Sequence, residues 1–325
     1  MVWALAVSCL GLSVYAIIQK FTGFGIANEI WRAEATRRVT SVFPYPNALA
    51  LYLTPLVFVF LGYLSSLIKK KASFFPIFFL SATIILSLVS VYFARSEGAL
   101  VASAAGVLLF LWLIGGKWRW FAYGVVIGVL SFLCFYPVPR EKVVEKATLS
   151  DLSGEIRKQQ WEETWHMLKR EGIFWGVGLH NYQSAIGPYH QPGIFYNKND
   201  DPDFKRKIIL FNEEYKQKFW QPVEIYLYPH NIFLNFWTEL GMLGMLVFIW
   251  IIGKFITKGV IILRQVRNEE RYKAAGLTAS MAVIIVHGLV DVPYFKNDLA
   301  AMFWLLVALM SLIYFSSFSS QINNN

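Results

Sequence analysis

Residues 73–114 have the sequence SFFPIFFLSATIILSLVSVYFARSEGALVASAAGVLLFLWLI. Two apolar runs, 73–94 and 97–114, are separated only by Arg95 and Ser96. A membrane-spanning helix needs about 20 mostly apolar residues, so each run predicts one span and the junction predicts a tight hairpin. This pair of spans decides the fold class, and we expect an all-α polytopic membrane protein.

The composition of the whole chain agrees with a membrane protein. Hydrophobic residues make up 56% of the 325 residues and charged residues only 16%, which excludes an ordinary soluble protein. Cys9 and Cys134 both lie in apolar runs, so they predict neither a disulfide framework nor a metal site. The net charge of +9 is concentrated in short segments beside apolar runs, which indicates membrane topology and not nucleic-acid binding.

Eight stretches are apolar and long enough to span a membrane: 2–19, 47–68, 73–94, 97–114, 119–137, 230–253, 274–292 and 299–316. Basic residues occupy alternate short connections, which places those connections and both termini in the cytoplasm. Segment 20–46, Arg95 and Asp291 then lie outside. We therefore predict three regions, which are N-terminal spans over 1–137, an extracytoplasmic loop over 138–229 and C-terminal spans over 230–325.

The extracytoplasmic loop contains an amphipathic pattern over about 155–171. At 100° per residue, one face carries Arg157, Trp161, Thr164, Trp165 and Leu168. The opposite face carries Lys158, Glu162, His166, Lys169 and Arg170. A charge on the apolar face needs a partner, so Arg157 either binds an anion or pairs with a buried carboxylate. Gly176 and Gly178 predict a tight turn that returns the chain to the bundle.

The sequence Pro229-His230-Asn231 is predicted to begin the sixth span. A helix N-terminus presents unpaired N–H groups and a positive dipole, which suits an anion and favours a neutral imidazole able to act as a base. The plain alternative is that His230 only marks the membrane interface. A polar stripe continues to Glu239, which in a straight helix lies about 13 Å below His230. Glu239 is either a functional carboxylate or a hydrogen-bonding hub.

Three further polar features precede or follow these elements. Two prolines before the second span predict an extended approach, with Asn47 as the helix cap and Arg38 either solvated or bound to a phosphate. Arg95 is held close to the membrane and predicts either a functional contact or a pair with Glu97. His287 and Asp291 are four residues apart, which favours a structural pair on one helix face over a metal site.

Five motifs follow one another in order along the chain. They are Arg-x-x-x-x-Phe-x-x-Pro-Asn (Arg38, Phe43, Pro46, Asn47), Arg-Ser-x-Gly (Arg95, Ser96, Gly98), Arg-x-x-x-Trp with a later Gly-x-Gly (Arg157, Trp161, Gly176, Gly178), Pro-His-Asn with Glu-x-Gly-x-x-Gly (Pro229, His230, Asn231, Glu239, Gly241, Gly244), and His-x-x-x-Asp (His287, Asp291). Over about residues 36–316, the chain resembles the superfamily of O-antigen ligases and O-antigen polymerases.

The resemblance implies a C-type glycosyltransferase-like fold in the bacterial inner (cytoplasmic) membrane, with its active site facing the periplasm or exterior. It implies transfer of a glycan from an undecaprenyl-pyrophosphate carrier to a glycan, lipid or protein acceptor, with no metal and no cofactor. The implied catalytic residues are Arg95, Arg157 and His230. The expected substrate-binding residues are Arg38, Asn47, Asn231 and Glu239. Family members commonly have more spans, so the chain is expected to be a shortened member or part of a longer protein.

A transporter or flippase for a lipid-linked or acidic solute is the alternative function. In that case Glu239 and Asp291 would relay protons within the membrane. The long loop 138–229 and the absence of a repeated half in the sequence favour the transferase. Ligase and polymerase are not distinguished by the sequence, because both use the same donor chemistry.

Overall fold

The computed structural model describes residues 1–199, 201–210, 213–292 and 297–322. Seven helices in this part of the chain are long and apolar enough to cross a membrane. The predicted fold class, an all-α polytopic membrane protein, is therefore confirmed. The chain divides into two compact units, unit 1 with Met1–Ile127 and Ile249–Asn325, and unit 2 with Gly128–Phe248.

The helices are α1 (Val2–Thr22), α2 (Glu29–Arg32), α3 (Pro46–Lys69), α4 (Phe74–Ala94), α5 (Glu97–Ile114), α6 (Lys117–Phe135), α7 (Pro137–Ala147), α8 (Leu152–Met167), α9 (Tyr182–Ile186), α10 (Phe204–Ile209), α11 (Glu213–Phe219), α12 (Ile232–Gln265), α13 (Glu270–Gly288) and α14 (Asn297–Ile322). Two short antiparallel strands, β1 (Gly193–Phe195) and β2 (Trp220–Pro222), pair Ile194 with Gln221. These two strands, together with α10 and α11, lie within residues 138–229, the region predicted as a loop.

Helix α13 is the inner helix of unit 1 and packs against α3 and α5. It corresponds to the predicted span 274–292 but is not among the seven helices that are apolar enough to face lipid. Most of its residues are buried, including the polar Thr278, Ser280 and His287. A helix enclosed by other helices does not need a lipid-compatible surface, which explains its lower hydropathy.

The two ends of unit 1 carry different sets of polar residues. At one end Lys70 forms an ion pair with Glu269 at 2.7 Å, and Arg271 donates to the carbonyl oxygen of Leu113. These contacts join three connections that the charge pattern predicts to share one side of the membrane. At the other end the segment before α3, the α4–α5 junction and the residues after α13 come together.

Unit 2 contains α8 over Leu152–Met167, where the sequence predicts a helix at about 155–171. Thr164 of α8 shares a hydrogen bond of 2.7 Å with the hydroxyl of Tyr182, and Met167, Leu168, Tyr182 and Ile186 form a small apolar core. The buried face of α8 is rotated relative to the prediction. Gln160 and Glu163 are 5% exposed, whereas Trp165 is 37% exposed. Polar side chains are buried because backbone and side-chain partners satisfy them there.

Helix α12 reverses direction at Gly241, where the backbone has φ 74° and ψ 180°. The rings of Phe236 and Phe248 stack with centroids 3.9 Å apart, although a straight helix would separate their Cα atoms by about 18 Å. Residues 232–240 therefore form a first arm that folds back from the second arm, 242–265. The predicted straight span over 230–253 is therefore broken at Gly241, and Glu239 lies near the end of the first arm.

Candidate functional site

Arg38 connects two elements of unit 1. Its Nε donates to the carbonyl oxygen of Ala94 at the end of α4, at 2.9 Å, and its terminal nitrogen donates to Oδ1 of Asn47 at 3.0 Å. A guanidinium presents several N–H groups in one plane, so a single arginine can satisfy an unpaired helix carbonyl and an amide together. The segment before α3 is thereby held against the α4–α5 junction.

Arg95 ends α4 in the left-handed conformation, with φ 49°. Its side chain is exposed and makes no hydrogen bond or ion pair with another described residue. Burial, and then the nearby guanidinium of Arg95, lower the pKa of Arg38, while Glu97 acts in the opposite direction. Arg38 bonds the carbonyl oxygen of the residue before Arg95, so the two guanidinium groups lie at the same helix junction.

Asn47 does not cap α3, contrary to the prediction. The helix begins at Pro46 with Tyr45 as its N-cap, because proline fits the first helical position. Asn47 is thus already helical, and its side chain extends to other groups. Its Nδ2 donates to Oδ2 of Asp291 at 3.0 Å. The relay from Arg38 through Asn47 to Asp291 joins residues that are distant in sequence.

His287 and Asp291 do not share a helix face as predicted, because α13 ends at Gly288. Both residues are 2% exposed. Asp291 accepts from Asn47 and from the backbone N–H of Val292 at 2.8 Å. The ring of His287 lies against Gly98 at the start of α5, where a Cβ would stand 2.9 Å from Cδ2. The Gly98 position of the hairpin motif is therefore explained by packing against His287.

In unit 2, two consecutive side chains of α8 hold two consecutive carbonyls before α12. Nε2 of Gln160 donates to the carbonyl oxygen of Tyr228 at 2.7 Å, and Nε1 of Trp161 donates to that of Pro229 at 2.8 Å. Residues 228 and 229 lie in irregular backbone, whose buried polar groups need such partners. Helix α8 thus fixes the path of the chain that leads into His230.

The imidazole of His230 is partly buried and enclosed on several sides. Its Nδ1 lies 2.9 Å from Oε1 of Gln160. The ring of Tyr226 meets it edge-on, and that of Tyr228 is tilted against it, both with centroids 4.8 Å away. His230 also has a positive φ of 45°, a conformation that costs energy in a non-glycine residue and persists only when the surroundings impose it.

Arg157 lies three residues before Gln160 on the same helix and is half-buried. One of its terminal nitrogens donates to the carbonyl oxygen of Ser153 at 3.2 Å. Burial and Glu224 raise the pKa of Tyr226, and Arg157 opposes them, so its charge is close to that ring. Arg157 thus acts electrostatically on Tyr226, whose ring also contacts His230. The sequence predicts that Arg157 points inward, whereas in the structure it lies at the edge of the buried face of α8.

Helix α12 begins at Ile232 and is capped by Asn231. Oδ1 of Asn231 accepts from the N–H groups of Phe233 and Leu234 at 3.0 and 3.1 Å, which is the geometry of an N-cap. The capping oxygen is occupied by the helix, so a role of Asn231 in substrate binding stays a prediction. The cap at Asn231 also restrains the backbone of His230, because His230 is the residue directly before it.

Glu239 accepts a hydrogen bond from the backbone N–H of His180 and is half-buried. His180 belongs to the turn that follows the Gly-x-Gly motif, so this contact joins the turn to the first arm. This hydrogen bond is consistent with the alternative in which Glu239 is a hydrogen-bonding hub. A substrate-binding role for Glu239 stays a prediction.

The turn around Gly176 is joined to the reversal of α12 by backbone hydrogen bonds. Val177 N–H donates to the carbonyl oxygen of Thr238 at 2.6 Å, and Met242 N–H donates to that of Phe174 at 3.1 Å. Gly176 and Gly241 both have positive φ, and a Cβ on either one would overlap the backbone of the other segment. The predicted turn is present, and it occupies the break in the helix.

Two residues of α8, Gln160 and Glu163, were not predicted from the sequence to take part in the site. Apolar periodicity places 157, 161 and 164 on the inner face, and a glutamine between them carries no signal of its own. Its role follows from the Tyr228 carbonyl and the His230 ring, which are distant in sequence. Glu163 was missed for the same reason. It is buried and accepts from Gln159 Nε2 at 2.6 Å and Gln191 N–H at 2.9 Å.

Comparisons with known proteins identify the family. A comparison with curated proteins finds none that matches the chain. A family model described as O-antigen ligase matches residues 82–249, which is more than half of the chain. The matched region includes the α4–α5 junction with Arg95, α8 with Arg157, and the Pro229-His230-Asn231 segment. The chain belongs to the O-antigen ligase family.

Proposed function

We propose that this protein transfers a glycan from an undecaprenyl-pyrophosphate carrier to an acceptor hydroxyl on the outer side of the bacterial inner membrane. The transfer inverts the anomeric carbon and uses no metal. Arg95 and Arg157, with Arg38, bind the carrier pyrophosphate, and His230 is the general base. Membership of the O-antigen ligase family supports glycan transfer at a membrane in general. The carrier, the stereochemistry and the residue roles belong to the proposal.

The observation that carries the proposal is the support of His230 by α8, the helix that also bears Arg157. Gln160 and Trp161 fix the backbone and ring of His230, and Arg157 lies one turn earlier. A base that removes a proton from a hydroxyl has to be held at a defined orientation. A rigid helix that carries both the cation and the contacts to the base meets this requirement.

The arginines suit the leaving group. A pyrophosphate departs as an anion and needs charge stabilisation and not protonation by an acid. Guanidinium groups bind phosphate oxygens through two parallel hydrogen bonds. Arg38 bonds the carbonyl oxygen of Ala94, the residue before Arg95, so two guanidinium groups lie at one helix junction, as binding of a phosphate there requires.

The reaction then follows from these roles. The Nε2 atom of His230 takes the proton of the acceptor hydroxyl while that oxygen bonds to the anomeric carbon. The bond from the anomeric carbon to the pyrophosphate oxygen breaks on the opposite side, and its electron pair leaves with the carrier. Attack opposite the leaving group gives inversion. The negative charge that develops on the pyrophosphate is stabilised by the arginines.

The test is glycan transfer by the purified protein from a lipid-linked donor, with Arg95→Ala, Arg157→Ala and His230→Ala. Each substitution should lower the rate by at least about 100-fold, since each removes a base or a charged transition-state contact. Arg170→Ala and His166→Ala are matched controls, because both side chains are exposed in the same unit. Wild-type rates in all three site variants, at normal protein levels, would contradict the site.

Solute transport is tested in the same preparation. A flippase that relays protons through Glu239 would move a lipid-linked solute across proteoliposomes and lose this activity in Glu239→Gln. Glu239 accepts from the backbone N–H of His180 and lies before the break at Gly241, which supports a structural role for this carboxylate over a proton relay. We expect transfer without transport.

A further inference from the structure

The direction of the Gln160 amide is determined by its two neighbours. The carbonyl oxygen of Tyr228 can only accept a hydrogen bond, so the NH₂ group of Gln160 faces it, at 2.7 Å. The amide oxygen then faces Nδ1 of His230 at 2.9 Å. That oxygen carries no hydrogen, so the proton in this bond belongs to Nδ1.

We propose that Gln160 is a positioning residue that holds neutral His230 as the Nδ1–H tautomer and so places the basic lone pair on Nε2. This inference rests on the proposed function, in which Nε2 takes the proton of the acceptor hydroxyl. A histidine has one protonated and one basic nitrogen in its neutral form, and the bond made by one nitrogen determines the chemistry of the other. The imidazolium formed in the reaction keeps its Nδ1–H bond to Gln160.

The surroundings of Gln160 make this role specific. Its side chain is 5% exposed, so water does not compete for the bond. The adjacent Trp161 holds Pro229, and the rings of Tyr226 and Tyr228 restrict rotation of the imidazole. The positive φ of His230 requires such constraints. The bond to Gln160 favours the proton on Nδ1, and the ring contacts with Tyr226 and Tyr228 restrain the position of the imidazole.

The experiment combines imidazole ¹⁵N NMR with kinetics on the full chain in lipid nanodiscs. The His230 signals are identified by their loss in His230→Ala. In wild type we expect a protonated Nδ1 and a bare Nε2. Gln160→Leu removes the acceptor, so the signals should move towards the Nε2–H form, and kcat should fall more than about tenfold with little change in donor KM. Gln160→Glu loses the donor to the Tyr228 carbonyl oxygen but still accepts from Nδ1, so Nδ1 should stay protonated.

Gln159→Leu is the matched control, because Gln159 bonds Glu163 and the carbonyl oxygen of Gln191 and not His230. It should leave the His230 signals unchanged. An Nε2–H form in wild type, or an unchanged tautomer in Gln160→Leu, overturns the inference. If His230→Ala transfers glycan at the wild-type rate, the proposed function fails instead, while the NMR result still decides the tautomer.

A second inference concerns the apolar tip of the turn that fills the break in α12. We define the tip as Phe174, Trp175 and Leu179, which are 61%, 84% and 65% exposed. The backbone of the turn is bonded to both sides of Gly241. The second arm, 242–265, starts at this point and exposes Leu243, Leu246 and Trp250. At 1.5 Å per residue this arm is about 36 Å long, enough to span a membrane.

We infer that the tip inserts into the lipid leaflet at the end of the membrane where the second arm begins. The tip is continuous with the lipid-facing surface of a spanning helix, which identifies lipid as its occupant. Tryptophan and phenylalanine favour the boundary between headgroups and acyl chains. The helix break leaves backbone groups without helical partners, and the turn satisfies two of them, as required at the edge of the bilayer.

The test places a fluorescent probe on Trp175→Cys in a Cys9→Ala, Cys134→Ala background, in nanodiscs that contain spin-labelled lipids. Glu162→Cys, on the exposed face of α8, is the matched control. Spin labels near the headgroup should quench the probe at 175 and leave the probe at 162 bright. If the background does not fold, quenching by brominated lipids is compared between wild type and Trp175→Phe. Equal quenching at 175 and 162, or no difference for Trp175→Phe, overturns the inference.

Discussion

The side-chain amide of Asn47 donates to the buried carboxylate of Asp291 at 3.0 Å, joining the start of α3 to the residues after α13. The same amide accepts from Arg38 through its oxygen. One asparagine therefore satisfies a buried anion and a cation in the same contact. This relay joins the segment that carries Arg38 to the start of α3 and to the residues after α13.

Asn47→Ala should lower the free energy of unfolding by about 1–3 kcal/mol, because Asp291 is 2% exposed and would lose a donor. Thermal unfolding in detergent measures the loss. Thr257→Ala, at an exposed position of α12, is the control and should leave the midpoint nearly unchanged. A variant with Asn47→Ala that melts with the wild type would show that the relay does not stabilise unit 1.

Gly176→Ala should destabilise unit 2 more than Gly178→Ala does. Both glycines have positive φ, so both substitutions carry the same type of backbone strain, but a Cβ at 178 meets nothing within 4 Å. The additional overlap at 176 should cost roughly 2 kcal/mol. Limited proteolysis of the loop and thermal unfolding measure the difference. Equal effects of the two substitutions would contradict the backbone contact with the α12 reversal.

Glu163→Gln should destabilise α8 and its neighbours. The Glu163 carboxylate is buried, with a 6% exposed side chain, accepts from Gln159 and from the backbone N–H of Gln191, and lies 3.3 Å from Nδ1 of His190. Glutamine replaces one acceptor oxygen with an NH₂ group and removes the charge that strengthens these buried hydrogen bonds, which should cost about 1–3 kcal/mol. Glu162→Gln is the control, since its side chain is 74% exposed. Hydrogen exchange of α8 provides the measurement, and unchanged protection would contradict this account.

The stability of the α8 N-terminus should depend on pH through Asp151, which caps the helix at Gly154 and pairs with Lys146 at 2.8 Å. Burial alone would raise the pKa of Asp151, but hydrogen bonds from Lys146 and Ser153 lower it below its usual value. Because the folded-state pKa is lower than the unfolded one, the stabilisation is present at neutral pH. It is lost as pH falls below about 4, through the folded-state pKa.

Asp151→Asn tests this dependence, because it keeps a capping oxygen and removes the charge. Wild type should melt above Asp151→Asn at pH 7, and the difference should shrink towards pH 3. Asp203→Asn changes an exposed carboxylate that makes no side-chain cap and should show no such trend. A difference between wild type and Asp151→Asn that is constant with pH would contradict the role of the ion pair.

Much of the fold was accessible from the sequence because lipid imposes a simple rule on composition. Long apolar runs such as 74–94 have to form helices that satisfy their own backbone hydrogen bonds. Helix α8 is predicted because charged residues recur with helical spacing on its solvated face. The face of α8 was predicted less well. Its inner side is polar, and Gln160 and Glu163 are buried through hydrogen bonds that periodicity does not register.

Two further differences have the same origin. Helix α3 begins at Pro46, one residue before the predicted cap. Asn47 is therefore inside the helix, and its side chain bonds Asp291. Gly241 was recognised as a small residue within a span, but a backbone reversal there needs the turn at Gly176 to supply partners. Asp291 is far from Asn47 in the sequence, and Gly176 is far from Gly241. Local sequence patterns therefore do not predict these two contacts.

The sequence by itself determined that this chain is a helical membrane protein and which motifs it carries, because apolar length and motif order are properties of the chain. The tertiary structure alone decided how His230 is held. In the proposed tautomer, the Gln160 amide keeps the proton on Nδ1, and the direction of that amide follows from a carbonyl 68 residues away from Gln160. Such hydrogen bonds act over about 3 Å, and only the folded chain brings their atoms to that distance.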